Sequence, residues 1–110
     1  MRRIGQVIGI KPERLNEYKQ IHAAVWPEIL DAITRAGIRN YSIYHYQGKL
    51  FAYMEYHGPD GEFDARMKEL ANAPRMREWW NVTEPMQIPE STRSTGAWWT
   101  DIEEVFHHDS

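Results

Sequence analysis

Tyr18, His22 and Trp26 stand four residues apart. On a helix, side chains at i and i+4 share a face, so Tyr18 and His22 point the same way. Histidine has an unperturbed pKa of about 6.5 and can give and take protons near neutral pH. The bland alternative is a partly buried amphipathic face with the histidine hydrogen-bonded to backbone. For a lone histidine that alternative wins, and two aromatic neighbours at helical spacing weaken it. A second pair, Trp79-Trp80, ends a short helix. Adjacent helical residues do not share a face, so one indole can anchor the core while the other faces a cleft. Flat aromatic faces suit the C–H surface of a sugar, and the indole N–H can donate to a hydroxyl. One buried tryptophan and one at a subunit contact would fit the spacing equally well. Asn40-Tyr41 enters a strand, where a phenol and an amide could orient a polyol. Taken alone, Asn40 reads as a turn residue. Trp98-Trp99 reads as packing or a subunit contact.

The remaining histidines carry less. His45 sits among tyrosines in a strand, His57 at a strand end, and His107-His108 near the C-terminus. No pair of them has metal-ligand spacing, so no metal site is expected. There is no Gly-rich phosphate loop and no nucleophile elbow, and Asp60-Gly61 is a turn rather than a calcium loop. The net charge of −3 argues against a nucleic-acid or anionic-membrane partner held by a basic patch. The chain contains no cysteine, which excludes disulfides and thiolate chemistry and makes the cytoplasm the expected compartment. No apolar run is long enough to cross a bilayer, and the N-terminus lacks a signal-peptide stretch.

These candidates need elements to position them. Ile4, Gln6, Ile8 and Ile10 alternate along a first strand over 3–10. Pro12 suits the first turn of a helix, and Leu15, Tyr18, Ile21, His22 and Val25 continue helical spacing to residue 25. Pro27 restarts a helix through Ile29, Leu30 and Ile33, which Gly37 closes. The Trp26-Pro27 step separates the two, because the residue before proline is pushed out of helical geometry. Residues 38–46 and 49–57 form a hairpin across Gln47-Gly48. Tyr41 and Ile43 share one face of its first strand, while Ser42 and Tyr44 share the other. After Gly58-Pro59-Asp60-Gly61, helical spacing resumes over 62–72 through Phe63, Met67 and Leu70. Pro74 interrupts, and a short helix carries Met76, Trp79 and Trp80. Residues 82–97 read as a long connection, and 101–107 as a last strand through Ile102, Val105 and Phe106.

With 110 residues the chain fits a single domain, 1–110. The order βα(α)ββα(α)β is the α+β, ferredoxin-like split βαβ arrangement, with a four-stranded antiparallel sheet and helices on one face. The other sheet face then lies bare. A homodimer through that face, closing a two-sheet α/β barrel, is the natural cover. The 13% aromatic content, including five Trp and six Tyr, exceeds what a small core easily absorbs and points to a pocket or a subunit contact.

Four segments together resemble a known family. They are His22-Ala23-Ala24-Val25-Trp26-Pro27-Glu28, then Asn40-Tyr41-Ser42-Ile43-Tyr44, then Trp79-Trp80, then Glu104-Val105-Phe106. Over nearly its whole length the chain resembles the L-rhamnose mutarotases. The resemblance implies a dimeric ferredoxin-like isomerase that interconverts the α and β anomers of L-rhamnose or a closely related sugar without a cofactor. It makes His22 the proton donor and assigns sugar binding to Tyr18, Tyr41, Trp79 and Trp80. Mutarotation removes a proton from the anomeric hydroxyl and delivers one to the ring oxygen, so no metal or redox step is needed. On this reading His22 protonates the ring oxygen. Tyr18 and Tyr41 hold hydroxyls, or one of them relays the second proton, and the tryptophan pair forms a stacking wall. Water, Glu103 or Glu104 could take the anomeric proton. The alternatives are a small cofactor-free monooxygenase on the same scaffold and a non-catalytic sugar-binding domain.

Overall fold

The computed structural model describes residues 1–109. β1 (Arg2–Ile10) is followed by a 3-10 turn over Pro12–Arg14 and by helix α1 (Leu15–His22). Helix α2 (Pro27–Arg35) leads into the hairpin of β2 (Ile38–Tyr46) and β3 (Lys49–Tyr56). Then come α3 (Phe63–Asn72), α4 (Pro74–Thr83), and two short strands, β4 (Gln87–Ile88) and β5 (Thr100–Ile102). No helix among the described residues is long and apolar enough to cross a membrane.

The hairpin turns where expected. Gln47 (φ 46°) and Gly48 (φ 79°) are both left-handed, the geometry whose twist matches two flanking strands. β1 lies inside the sheet, antiparallel to β3 on one side and to β4 on the other, in the order β2-β3-β1-β4. This is the ferredoxin-like order, with one departure. The outer strand is split: β4 pairs with Gly9 and Ile10, and β5 pairs with Gly5 to Val7. Half of it therefore comes from the segment read as connection, and the strand read over 101–107 is confined to Thr100–Ile102. Val105 (86% exposed) and Phe106 (81%) extend beyond the sheet. Gly9 makes the close docking of β4 possible, since a Cβ there would lie 2.8 Å from the Ile88 carbonyl oxygen.

The helices cover one sheet face. Ile8, Ile10 and Leu50 pack with Tyr18 and Met86. Ile29, Met76 and Trp79 join α2 to α4. Ala36, Ile38 and Tyr56 close the far end, against Phe63 and Met67 of α3. Helix α1 stops at His22, three residues short of the predicted end. Trp26 is extended (φ −58°, ψ 134°) as the residue ahead of Pro27, so it leaves the Tyr18–His22 stripe.

A bulge in β2 decides which way the hairpin points. Arg39 pairs with Glu55 and Ser42 with Tyr53, so two residues, Asn40 and Tyr41, stand against Met54 alone. Asn40 takes a left-handed φ of 53°, which asparagine tolerates better than most residues, and its side-chain amide donates to Glu55 Oε1 at 2.9 Å. Beyond the bulge the alternation is inverted. Ile43 thereby joins the covered core, while Tyr44 (65% exposed) and Tyr46 (66%) fall on the bare face.

Candidate active site

His22 ends α1, and its place is fixed from two sides. Its Nδ1 lies 2.8 Å from the Tyr18 carbonyl oxygen, which can only accept, so Nδ1 carries the proton and Nε2 is left free. The Tyr18 ring stacks on the imidazole at 4.1 Å with 28° between planes. On the other flank the Trp79 ring meets it edge-on at 5.3 Å, and Trp26 meets Trp79 in turn at 5.1 Å. Burial lowers the His22 pKa below 6.5, opposed by the backbone hydrogen bond, so the resting imidazole is neutral at pH 7.

Tyr18 is 5% exposed. Burial pushes its hydroxyl up to about 12, the Gln87 hydrogen bond pulls the other way, and the nearby Tyr41 phenol adds to the rise. Gln87 Nε2 donates to the Tyr18 hydroxyl oxygen at 3.1 Å, and Trp98 Nε1 donates to Gln87 Oε1 at 2.8 Å. The Tyr41 hydroxyl is likewise raised to about 12 by burial, although the residue as a whole is 38% exposed.

Beside this cluster opens a cleft of about 370 Å³, lined by Tyr18, Lys19, His22, Ile43 and Leu50 among others. That volume lies within the roughly 300–1,000 Å³ of small-molecule sites. Of the five residues singled out from sequence, Tyr18 and His22 face the cleft directly. Trp79 stands behind His22 and is 6% exposed; Trp80 is half-buried and packs against the same α2–α4 cluster. Neither tryptophan nor Tyr41 lines the cleft itself. The bulge places Tyr41 on the helix-covered face, near the Tyr18 hydroxyl.

The two carboxylates considered as bases are elsewhere. Glu104 accepts from Arg3 at 2.8 and 3.2 Å on the opposite sheet face, and Glu103 is exposed. Gln87 has no role in the sequence reading, and Trp98 reads there only as packing or a subunit contact. A glutamine between two prolines carries no periodic signal, and only the docking of β4 against β1 brings it under Tyr18. No three His, Asp or Glu side chains among the described residues gather to hold a metal ion.

The family model for L-rhamnose mutarotase matches residues 3–108 of this chain. The chain belongs to the L-rhamnose mutarotase family. An L-rhamnose mutarotase of Lactiplantibacillus plantarum is 36% identical over 111 residues, spanning 99% of this chain and 100% of that protein. The crystal structure of an L-rhamnose mutarotase from Formosa agariphila has the same fold, with a TM-score of 0.77 at 22% identity and coverage of 99% and 100%. A type-II polyketide cyclase from Streptomyces glaucescens shares it as well, with a TM-score of 0.74 at 12% identity over 100% and 99% of the two chains. The architecture is therefore common to different chemistries. The match of the family model and the full-length relatives place this chain among the mutarotases, which are isomerases acting on carbohydrates.

Proposed function

We propose that this chain exchanges the anomers of L-rhamnose, or of a closely related sugar, in the cleft beside α1, with His22 Nε2 as the proton carrier. The observation that carries this reading is the hydrogen bond from His22 Nδ1 to the Tyr18 carbonyl. It fixes the tautomer and leaves one uncommitted nitrogen on a cleft wall. A neutral resting imidazole accepts a proton when the ring opens and donates one when it closes. This departs from the sequence-based expectation that His22 protonates the ring oxygen: with its proton held on Nδ1 by the Tyr18 carbonyl, the neutral ring has none on Nε2 to give, so it accepts first and donates on closing. Trp79 holds the imidazole edge-on, and Trp26 backs Trp79 in turn. Tyr18 supplies a hydroxyl at the cleft, while Tyr41, near the Tyr18 hydroxyl, and Trp80, on the α2–α4 cluster, are assigned to sugar binding by the family resemblance alone. The reaction calls for no cofactor.

The bare sheet face supports a homodimer. It presents Tyr44, Tyr46 and Phe51 (37% exposed), and the extended tail adds Val105 and Phe106. Two such faces closed on each other form a barrel and bury these side chains. A chain without cysteine fits a reducing cytoplasm.

Saturation-transfer proton NMR at the anomeric signals tests the reading across L-rhamnose, L-fucose, L-lyxose, D-galactose and D-ribose. The protein should accelerate exchange of L-rhamnose or a close relative. His22→Gln should slow it by about 10²–10⁴-fold while sugar still binds. Undiminished exchange in that variant would remove His22 from the mechanism. The absence of acceleration for every sugar would remove the function.

A further inference from the structure

Opening a hemiacetal moves two protons, and His22 accounts for one. We propose that Tyr18 carries the other, and that Gln87, locked in orientation by Trp98, is the positioning residue that makes Tyr18 able to do so. The inference rests on the anomer-exchange reading given above and adds to it a second catalytic residue and its support.

The polarity of the chain of hydrogen bonds follows from donor and acceptor chemistry alone. An indole N–H only donates. Trp98 Nε1, at 2.8 Å, therefore requires the oxygen of the Gln87 amide on its side. The amide nitrogen is thereby turned toward Tyr18, 3.1 Å from the phenol oxygen. That nitrogen can only donate, so the phenol oxygen accepts, and its own hydrogen must point elsewhere. Among the described residues it has no protein acceptor. Gln87 is 6% exposed and Tyr18 5%, so packing holds the arrangement. The phenol ring is stacked on the His22 imidazole at 4.1 Å, and both residues line the same cleft.

Two groups in this state complete the reaction. Nε2 of His22 takes the proton of the anomeric hydroxyl, and the released electron pair forms the carbonyl as the bond from the anomeric carbon to the ring oxygen breaks. The ring oxygen takes the Tyr18 proton. An imidazolium and a phenolate are left stacked together, the phenolate held by the Gln87 N–H. The aldehyde turns about the bond to its neighbouring carbon. On closing, the sugar hydroxyl returns its proton to the phenolate as it attacks the carbonyl carbon, and the carbonyl oxygen recovers the proton from the imidazolium. Protons and electrons balance without a co-reactant, and the enzyme ends as it began. A buried phenol that stays protonated at rest has a proton to give, and the amide N–H stabilises the form that has given it.

The full-length protein tests this with L-rhamnose and the same NMR readout. Tyr18→Phe keeps the ring on His22 and should lower kcat by about 10²-fold or more. The discriminating variant is Gln87→Glu, nearly identical in shape. At pH 8 its carboxylate would accept from both Trp98 and Tyr18, turning the phenol hydrogen inward and opposing the phenolate. We expect kcat to fall by about 10²-fold with KM within about tenfold of the parent. Lowering the pH protonates the carboxyl, which can then donate to Tyr18 and accept from Trp98 as the amide does. The ratio of variant to parent kcat should therefore rise as pH falls, which a merely structural role would not produce. If that variant fails to fold, Trp98→Phe and Gln87→Met serve instead. Freed from the indole, the amide can reverse, so Trp98→Phe should lower kcat in the parent and leave it unchanged in the Gln87→Met background. Full kcat in Tyr18→Phe, a pH-independent ratio in Gln87→Glu, or equal effects of Trp98→Phe in both backgrounds would overturn the proposal while the mutarotase reading stands. If the parent protein accelerates no sugar, both fall together.

Discussion

At the scale of the residue, two readings of His22 turn out to be compatible. Its helical register with Tyr18 suggested chemistry, whereas a hydrogen bond to backbone was the mark of a structural histidine. The backbone bond exists and is what fixes the free nitrogen. Burial lowers the His22 pKa from 6.5, and the sign of its pH effects follows. Catalysis that starts from the neutral imidazole holds above pH 6.5 and is lost as pH falls through the lowered value, so kcat/KM should show an acid limb, measured by exchange rates between pH 5 and 8. Stability moves the same way. Between the two pKa values the unfolded chain binds more protons, so this contribution is complete above 6.5 and drains away below it. His22→Gln should remove that part of the acid sensitivity, read as denaturation midpoint against pH. Tyr18 and His22 were legible in sequence because their partnership is local to one helix. Gln87 was not, because its meaning comes from a strand pairing that joins it to a residue 69 positions away.

At the scale of the element, the β2 bulge sets which residues of the hairpin face the helices. Tyr41 and Ile43 were legible as sharing a face, but which face depends on parity, and one extra residue inverts it. Asn40 carries the signal in its tolerance of left-handed backbone, and Glu55 ties it down. Hydrogen bonds from His57, Tyr53 and Asn40 hold the Glu55 carboxylate at a pKa of about 2, so the clamp persists through the ordinary pH range. Replacing Asn40 with Val should cost about 1–2 kcal/mol, since a β-branched residue resists that backbone. It should also raise KM as Tyr41 loses its aim. A thermal melt together with exchange kinetics checks both, and an unchanged KM would dissociate the bulge from the site. The hairpin, the helices and the proline breaks were readable from periodicity and punctuation. The outer strand was not. Ile102, Val105 and Phe106 suggested one strand over 101–107, yet only Thr100–Ile102 pair with β1, and the rest of that sheet edge is taken by β4 from the segment read as connection.

At the scale of the whole molecule, the covered and bare sheet faces differ in kind. One carries the cleft and the helices, and the other presents tyrosines and Phe51 with nothing over them in the single chain. Phe51→Asp should leave the fold intact, because the side chain faces away from the core, and should abolish the proposed homodimer in light scattering. Persistence of the dimer would locate the contact elsewhere. The split outer strand has one further consequence. Between its two pieces the chain leaves the sheet, and residues 91–96 are exposed. Doubling the length of a flexible loop costs only about 0.6 kcal/mol in closure entropy. A foreign peptide spliced in at Thr95-Gly96 would therefore be carried outside the sheet, its far anchor the same indole that grips Gln87. The protein has, in effect, a grafting point wired to the proposed active site.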